Sequence, residues 1–357
     1  MKIGIDGRAA KWYRGTGIGT YTYQLINSIN KVDKLNDYLV FLPENSALDL
    51  SDNFKVESVK ATSNSNFWDE VRVPNILNDT NIDIYHVPQN GVGLSQSINC
   101  HKTITLHDII PLRMPETVSD RYLYIFNNEL PKIINECDGI LTVSEFSKQD
   151  ISKEFNFPED KIFVTHLAAE DIYRPLNKCQ CKKIIEEEYS IKDNFILYVG
   201  GFSPRKNIVG LIEAFSLLSR NTYDIYKKRT VDLNIEDDVI FTDFIPLEKL
   251  PIFYNASELL AYPSFYEGFG LPPLEAMACG TPVITSNVTS LPEICYDSAL
   301  LINPYDIDSL KSGMENVLYD DALKARMIKQ GLINSSKYSW NITAKSTLKA
   351  YEKIIKS

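Results

Sequence analysis

Tyr266-Glu267-Gly268-Phe269-Gly270-Leu271-Pro272-Pro273-Leu274-Glu275-Ala276-Met277-Ala278-Cys279-Gly280 reads as a glycine-bearing loop running into a short helix. Pro272 and Pro273 stand where a first helical turn tolerates a missing N–H, and Gly280 stands just past the end as a C-cap. First-turn amides lack helical partners and point outward, which makes such a start an anion site. Glu267 closes the loop and Glu275 lies inside the helix, with seven residues between them. An acid on either side of an amide-rich turn can hold hydroxyls while the turn holds phosphate, an arrangement that suits a sugar nucleotide.

On either side of this stretch, apolar runs of strand length alternate with helical periodicity, the pattern of parallel sheets covered on both faces. In the amino-terminal half the strands are expected at Met1–Asp6, Tyr38–Leu42, Phe54–Val59, Ile82–His86, Thr103–Leu106, Gly139–Val143 and Ile162–Thr165. Helices are expected through Tyr21, Leu25, Ile26 and Ile29, over Asn66–Leu77 and Arg121–Asn135, and from Glu145. The polar, charge-dense segment Tyr173–Ile191 reads as an interdomain linker. A second alternation opens at Phe195–Gly200. It continues with the helix Asn207–Leu218, with strands at Val239–Thr242, Leu259–Ala261, Pro282–Thr285 and Ala299–Ile302, and with a helix after Asp306. The tail Trp340–Ile355 has apolar residues at helical spacing.

A length of 357 residues exceeds what one core usually serves, so two domains are expected, and 44% hydrophobic residues suffice to fill them. The formal net charge of −10 excludes the electrostatic footprint of a nucleic-acid binder. No apolar run reaches the roughly 18 residues of a spanning helix, and the amino terminus enters a strand without a signal peptide. Six cysteines at 100, 137, 179, 181, 279 and 295 form no metal pattern. Cys137 and Cys279 read as buried thiols, and Cys179-x-Cys181 lacks a second pair or a nearby His. The chain therefore reads as cytoplasmic and reduced.

Several groups beside the opening stretch carry chemistry. Gly200-Gly201-Phe202-Ser203-Pro204-Arg205-Lys206-Asn207 follows the first strand of the second alternation and opens a helix, where open α/β sheets place ligands. Lys206 offers a point charge and Arg205 a fork, both suited to phosphate. Gly15-x-Gly17-x-Gly19 invites a dinucleotide reading, but it begins nine residues after Asp6, and Thr20 breaks the pattern. His107-Asp108 ends a strand: His107 can contact a sugar hydroxyl, and Asp108 can orient it or accept a proton. His86, His101 and His166 read as structural. Asp306-Ile307-Asp308 precedes a helix and reads as an N-cap in preference to a metal ligand.

The string from Glu267 to Ile284, followed by Ser290-Leu291-Pro292-Glu293-Ile294, resembles the donor-site signature of the retaining GT-B glycosyltransferases. That large family includes sucrose synthase and many bacterial polysaccharide transferases. The resemblance covers nearly the whole chain. It implies two Rossmann-like doubly wound parallel-sheet domains facing across a cleft, with a last helix returning to the first domain. The acceptor-side domain is expected at 1–172 plus 340–357 and the donor-binding domain at 173–339. By likeness, Glu275 holds the ribose hydroxyls and Glu267 the transferred sugar. Lys206, Arg205 and the loop Gly268, Phe269, Gly270 and Leu271 hold the diphosphate. The string Gly17-Ile18-Gly19-Thr20-Tyr21 is similar to the family's loop that completes the diphosphate site with backbone amides, and His107 matches a His near the donor sugar. Many relatives carry Arg where Gly201 stands, and Arg205 is expected to take its part.

One segment departs from the family. Between Leu218 and Val239 the resemblance implies a helix end, an apolar strand and another helix, but Ser219–Asp238 is polar throughout. Either the fold is trimmed here or the sequence omits part of the natural chain, and we favour omission.

The resemblance implies a retaining, metal-independent hexosyltransferase, with mannose from GDP-mannose favoured and UDP-sugars as the alternative. It would act on a glycan or lipid-linked acceptor in bacterial surface polysaccharide assembly. No cofactor and no metal are expected, and peripheral contact at the inner membrane face stays open, as does the oligomeric state. A GT-B nucleotide-sugar epimerase and a silent sugar-nucleotide-binding subunit are the competing readings; turnover without an acceptor would favour the first, and transfer would exclude the second. Glu267→Ala is expected to abolish transfer with little change in the thermal midpoint.

Overall fold

The computed structural model describes residues 1–12, 15–44, 46, 48–59, 81–94, 98–216 and 229–357. The chain divides into two compact units, Met1–Leu167 with Ser339–Ser357, and Ala168–Tyr338. The change of unit thus falls after Leu167, where sequence reading placed it after Ile172. The expected helix Asn66–Leu77 lies outside the described residues.

The first unit is built on a seven-stranded parallel sheet of order β3-β2-β1-β4-β5-β6-β7. The strands are β1 Lys2–Asp6, β2 Asp37–Pro43, β3 Phe54–Val59, β4 Ile84–Val87, β5 His101–Thr105, β6 Gly139–Thr142 and β7 Ile162–Val164. β1 pairs with β2 on one side (Ile5 opposite Val40) and with β4 on the other (Ile5 opposite His86), so strand order reverses there. Ile3, Ile5, Val40, Ile84, Ile104 and Ile140 are wholly buried, as expected of strands covered on both faces. The helical run expected over Arg121–Asn135 is interrupted by a π-helical turn, Ile125–Glu129, before the helix Leu130–Asn135. Pro131 has no N–H for the bond that an unbroken α-helix would make there.

The last helix, Trp340–Lys356, belongs to this first unit. Ser339 caps it, accepting from Ile342 N at 3.2 Å. Tyr351 Oη meets His86 Nδ1 at 2.7 Å, while His86 Nε2 meets Thr105 Oγ1 at 2.8 Å, and that hydroxyl meets Tyr21 Oη at 2.9 Å. Ile354 packs against Gly139, where a Cβ would approach it to 2.6 Å. A glycine at the start of β6 is thus what lets the helix seat.

The second unit carries a four-stranded parallel sheet of order β11-β10-β9-β8. Its strands are β8 Ile196–Leu197, β9 Leu259–Tyr262, β10 Val283–Ser286 and β11 Leu300–Ile302. β9 and β10 are buried throughout, whereas both residues of β8, at the edge, are half-buried. Val239–Thr242, expected as a strand, forms none. It pairs with no strand among the described residues, and Val239 packs instead beside Ile208, Ile212 and Ile235. Ile240 is left 54% exposed.

The expected linker is also corrected. Lys178–Tyr189 is an α-helix, capped by Asn177 through Gln180 N at 3.0 Å, with Cys181 and Ile185 buried and Cys179 exposed. Its apolar residues are few enough to read as polar linker, yet their spacing gives one buried face. Among the described residues, no helix is long and apolar enough to cross a membrane.

Candidate functional site

In the second unit, the loop after β8 and the loop after β9 meet. Pro204–Lys206 forms a short 3-10 turn ending at Asn207, whose left-handed backbone (φ 55°) redirects the chain into the helix Ile208–Ser216. Phe265 N donates to Arg205 O at 2.7 Å, so the two loops are joined through the backbone. Arg205 Nη1 reaches Tyr266 O at 3.1 Å and Glu267 Oε1 at 3.0 Å. Lys206 Nζ donates to the same Oε1 at 2.5 Å and also to Tyr262 Oη. Tyr262 Oη in turn donates to Oε1 at 3.0 Å.

Lys206 is 8% exposed and Glu267 7%, so this is a buried ion pair with a second cation at its edge. Burial pushes the Glu267 carboxyl upward, but Lys206 and then Arg205 outweigh it and hold the group ionised below the usual carboxylate range. Burial, and next the Glu267 charge, push the Tyr262 phenol well above its ordinary value, so it stays neutral.

The loop Tyr266–Gly270 is braced from the far side by Thr289 and Ser290. Glu267 N donates to Thr289 Oγ1 at 3.2 Å, and Ser290 Oγ lies 2.9 Å from both Glu267 O and Phe269 O. One hydroxyl proton shared by two carbonyls keeps both turned inward. Thr289 sits at φ 58°, in the left-handed region that a β-branched residue rarely enters. Gly270, at φ 109°, leads into the helix Leu271–Cys279, and a Cβ there would meet Leu291 at 2.7 Å. Because Pro272 and Pro273 have no N–H, the donors at this helix start ahead of Leu274 are the amides of Gly270 and Leu271.

Glu275 lies within that helix and accepts from Tyr254 Oη at 2.8 Å. Burial raises its carboxyl to about 7, against the opposing pull of Tyr254. Tyr173 packs edge-on against Tyr254, with centroids 5.7 Å apart, and its hydroxyl, like that of Tyr254, opposes the rise in the Glu275 carboxyl.

The remaining predicted residues lie in the first unit. Gly17, Ile18 and Gly19 form the first turn of the helix Gly17–Val32. Thr16 Oγ1 accepts from Gly19 N at 3.2 Å, so that amide serves the helix cap. His107 is held by Asn90 Oδ1 on its backbone N at 2.9 Å and by Pro88 O on Nε2 at 3.0 Å. A carbonyl only accepts, so Nε2 carries the hydrogen. Burial lowers the ring to about 4, so His107 is neutral and Nδ1 is its lone-pair acceptor. Asp108 Oδ1 accepts from Ile110 N at 3.1 Å, and it is Pro88 that orients the His107 ring. Asp306 caps its helix, accepting from Asp308 N at 3.0 Å and Ser309 N at 3.2 Å.

Sequence reading brought out Lys206, Arg205, Glu267 and Glu275 but missed Tyr262, Tyr254, Thr289 and Ser290. Tyr262 ends an apolar strand and Tyr254 lies in a short apolar helix, so both read as core. A hydroxyl at the carboxyl end of a strand, just before a loop of polar residues, is the signal that was there to use.

Residues 182–332 match the family described as glycosyl transferases group 1, and residues 15–169 match glycosyltransferase family 4. The chain is 36% identical over 264 residues to O-antigen chain mannosyltransferase B of Escherichia coli, covering 70% of this chain and 69% of that protein. It is 30% identical over 277 residues to the serotype-specific mannosyltransferase WbdA of Escherichia coli, covering 72% of this chain and 34% of that longer protein. Among solved structures, sucrose-phosphate synthase from Thermosynechococcus elongatus superposes with a TM-score of 0.77 at 18% identity, covering 99% of this chain and 98% of the other.

Proposed function

The chain belongs to the GT-B glycosyltransferases, and on that premise we propose that it transfers a mannosyl group, with retention, from a nucleoside-diphosphate sugar to a glycan or lipid-linked acceptor in surface polysaccharide assembly. The observation that carries the reading is the meeting of Lys206, Arg205 and Glu267 beside the Gly270–Leu271 helix start. The O-antigen mannosyltransferases among its relatives support mannose as the sugar and a growing surface glycan as the acceptor.

The chemistry follows from those groups. The anomeric C–O bond breaks and its electron pair leaves on the diphosphate, whose charge Lys206, Arg205 and the two amides receive. Fixed cations and amide dipoles do this without a divalent metal. The acceptor oxygen bonds to the anomeric carbon on the face the diphosphate leaves, and its proton passes to the departing phosphate oxygen. Glu267 accepts hydroxyls of the transferred sugar, and Glu275 those of the ribose. In the first unit, which we assign to the acceptor, the neutral His107 can accept a substrate hydroxyl at Nδ1 and Asp108 stands beside it.

The test is a thermal-shift screen against GDP, UDP, ADP and their sugars, since a ligand that binds only the folded state raises the midpoint. GDP and GDP-mannose are expected to give the largest shifts, with transfer persisting in a chelator. Lys206→Ala is expected to weaken binding of the free nucleoside diphosphate by about ten- to a hundredfold, the range for a lost charge-assisted hydrogen bond. Unchanged affinity would refute the phosphate assignment.

A further inference from the structure

The two oxygens of Glu267 are treated differently. Oε1 collects three donors, from Lys206, Arg205 and Tyr262, and all three of these bonds fall on that one oxygen. A carboxylate placed to receive a ligand hydroxyl needs one oxygen saturated by the protein and the other presented.

Tyr262 stands at the junction that makes this so. Its side chain is 1% exposed at the carboxyl end of β9, and its ring packs roughly parallel to Tyr198, with centroids 6.4 Å apart. The single phenolic proton goes to Glu267 Oε1, and the oxygen accepts from Lys206 Nζ. Lysine, phenol and carboxylate thereby form a closed triangle in which each edge is a hydrogen bond. With the hydroxyl gone, two edges vanish: the ammonium has one acceptor fewer, and Oε1 has one donor fewer. The pair would remain, but the direction in which the carboxylate points would no longer be fixed.

We propose that Tyr262 is a positioning residue of this site, whose hydroxyl pins Glu267 Oε1 and Lys206 Nζ together so that Glu267 Oε2 stays presented to the ligand. The inference rests on reading this site as the one that receives the sugar and diphosphate. Substrate does not touch the phenol, so removing it should act on turnover more than on binding.

The test is Tyr262→Phe, which keeps the ring and its packing. Relative to the parent chain, kcat is expected to fall by about tenfold, equal to about 1.4 kcal/mol of transition-state stabilisation, while the KM for donor changes by less than about threefold. The acid limb of the kcat–pH profile should move to higher pH, because a carboxylate that loses a donor holds its proton more tightly. An unchanged kcat with an unmoved acid limb would overturn the proposal.

A measurement that needs no turnover separates this inference from the functional reading. The Glu267 carboxyl is titrated by carbon-13 NMR, with its resonance identified through Glu267→Gln. An upward displacement in Tyr262→Phe with no transfer from any donor would leave the positioning role standing and sink the function. No displacement alongside normal transfer would do the reverse. Should Tyr262→Phe unfold, Lys206→Met is compared with Lys206→Met combined with Tyr262→Phe, where the hydroxyl's effect must again appear as an upward displacement.

Discussion

The two parallel sheets start from the same kind of strand and end differently. In the first unit β1 has neighbours on both sides, and four of its five residues are buried. In the second, β8 has a neighbour on one side only among the described residues, and both its residues are half-buried. Yet the charged cluster belongs to the second unit. Tyr262, Glu267, Thr289 and Ser290 follow or end β9 and β10, the two buried strands, and Lys206 reaches across from the loop after β8. The lesson is that this site is held by its own hydrogen bonds and one buried ion pair, which gather on the loops after the buried strands.

The sharpest way to break that view is Glu267→Ala. From the sequence it is a loop acid that holds the transferred sugar and whose loss leaves stability nearly unchanged. In the structure its removal leaves Lys206 buried without its carboxylate, a change that typically costs about 3–5 kcal/mol. We expect transfer to disappear and the calorimetric midpoint to drop clearly, with Glu267→Gln losing transfer but less stability. An unmoved midpoint in Glu267→Ala would mean that the pair does not hold the loop. The pH dependence has a definite sign: the folded Glu267 is depressed, so its contribution is present above the unfolded value of about 4.3 and disappears as pH falls through the folded value.

Next in size is Gly139→Val in the first unit. The added side chain collides with Ile354 and should unseat the last helix, at a cost of roughly 1–3 kcal/mol in denaturant unfolding. If the second unit holds its own site, nucleoside diphosphate affinity measured by calorimetry stays at the parent value. A parallel loss of affinity would contradict that independence.

Glu275→Gln gives a smaller, pH-dependent effect. Here the folded carboxyl is raised to about 7, so the proton it keeps favours the fold fully below the unfolded value, and that stabilisation fades as pH rises through about 7. The substitution should therefore raise the thermal midpoint at pH 8 relative to the parent more than it does at pH 4.5. Equal shifts at both pH values would show that Glu275 is not held protonated. Smallest is Ile240→Ser. The residue is already exposed, so the change should stay within about 0.5 kcal/mol, and a larger loss would reveal burial there.

Much of this was legible beforehand, for identifiable reasons. β1, β9 and β10 are apolar runs bounded by Gly7, Pro263 and Pro282, so pattern alone marks them. Glu267 and Glu275 stand on either side of one helix start, and Lys206 just ahead of another. Tyr262 was hidden because a tyrosine in Leu259–Tyr262 satisfies the requirements of a core strand equally well, and only the fold brings its hydroxyl to Lys206. The helix Lys178–Tyr189 was hidden by its charge, since Cys181 and Ile185 are too sparse to announce a face. Val239–Thr242 misled in the opposite sense. It has the composition of a strand but pairs with none among the described residues.

Thr289 carries a consequence for anyone who would harden this protein. Its backbone adopts a geometry that glycine reaches freely, so Thr289→Gly removes strain at the same time as it removes the hydroxyl that receives the Glu267 amide. Variants recovered by heat challenge alone would tend to drift toward such a change and emerge sturdier and slower. A selection scheme should therefore demand turnover alongside thermal endurance, or it will reward the loss of what that awkward threonine is there to hold.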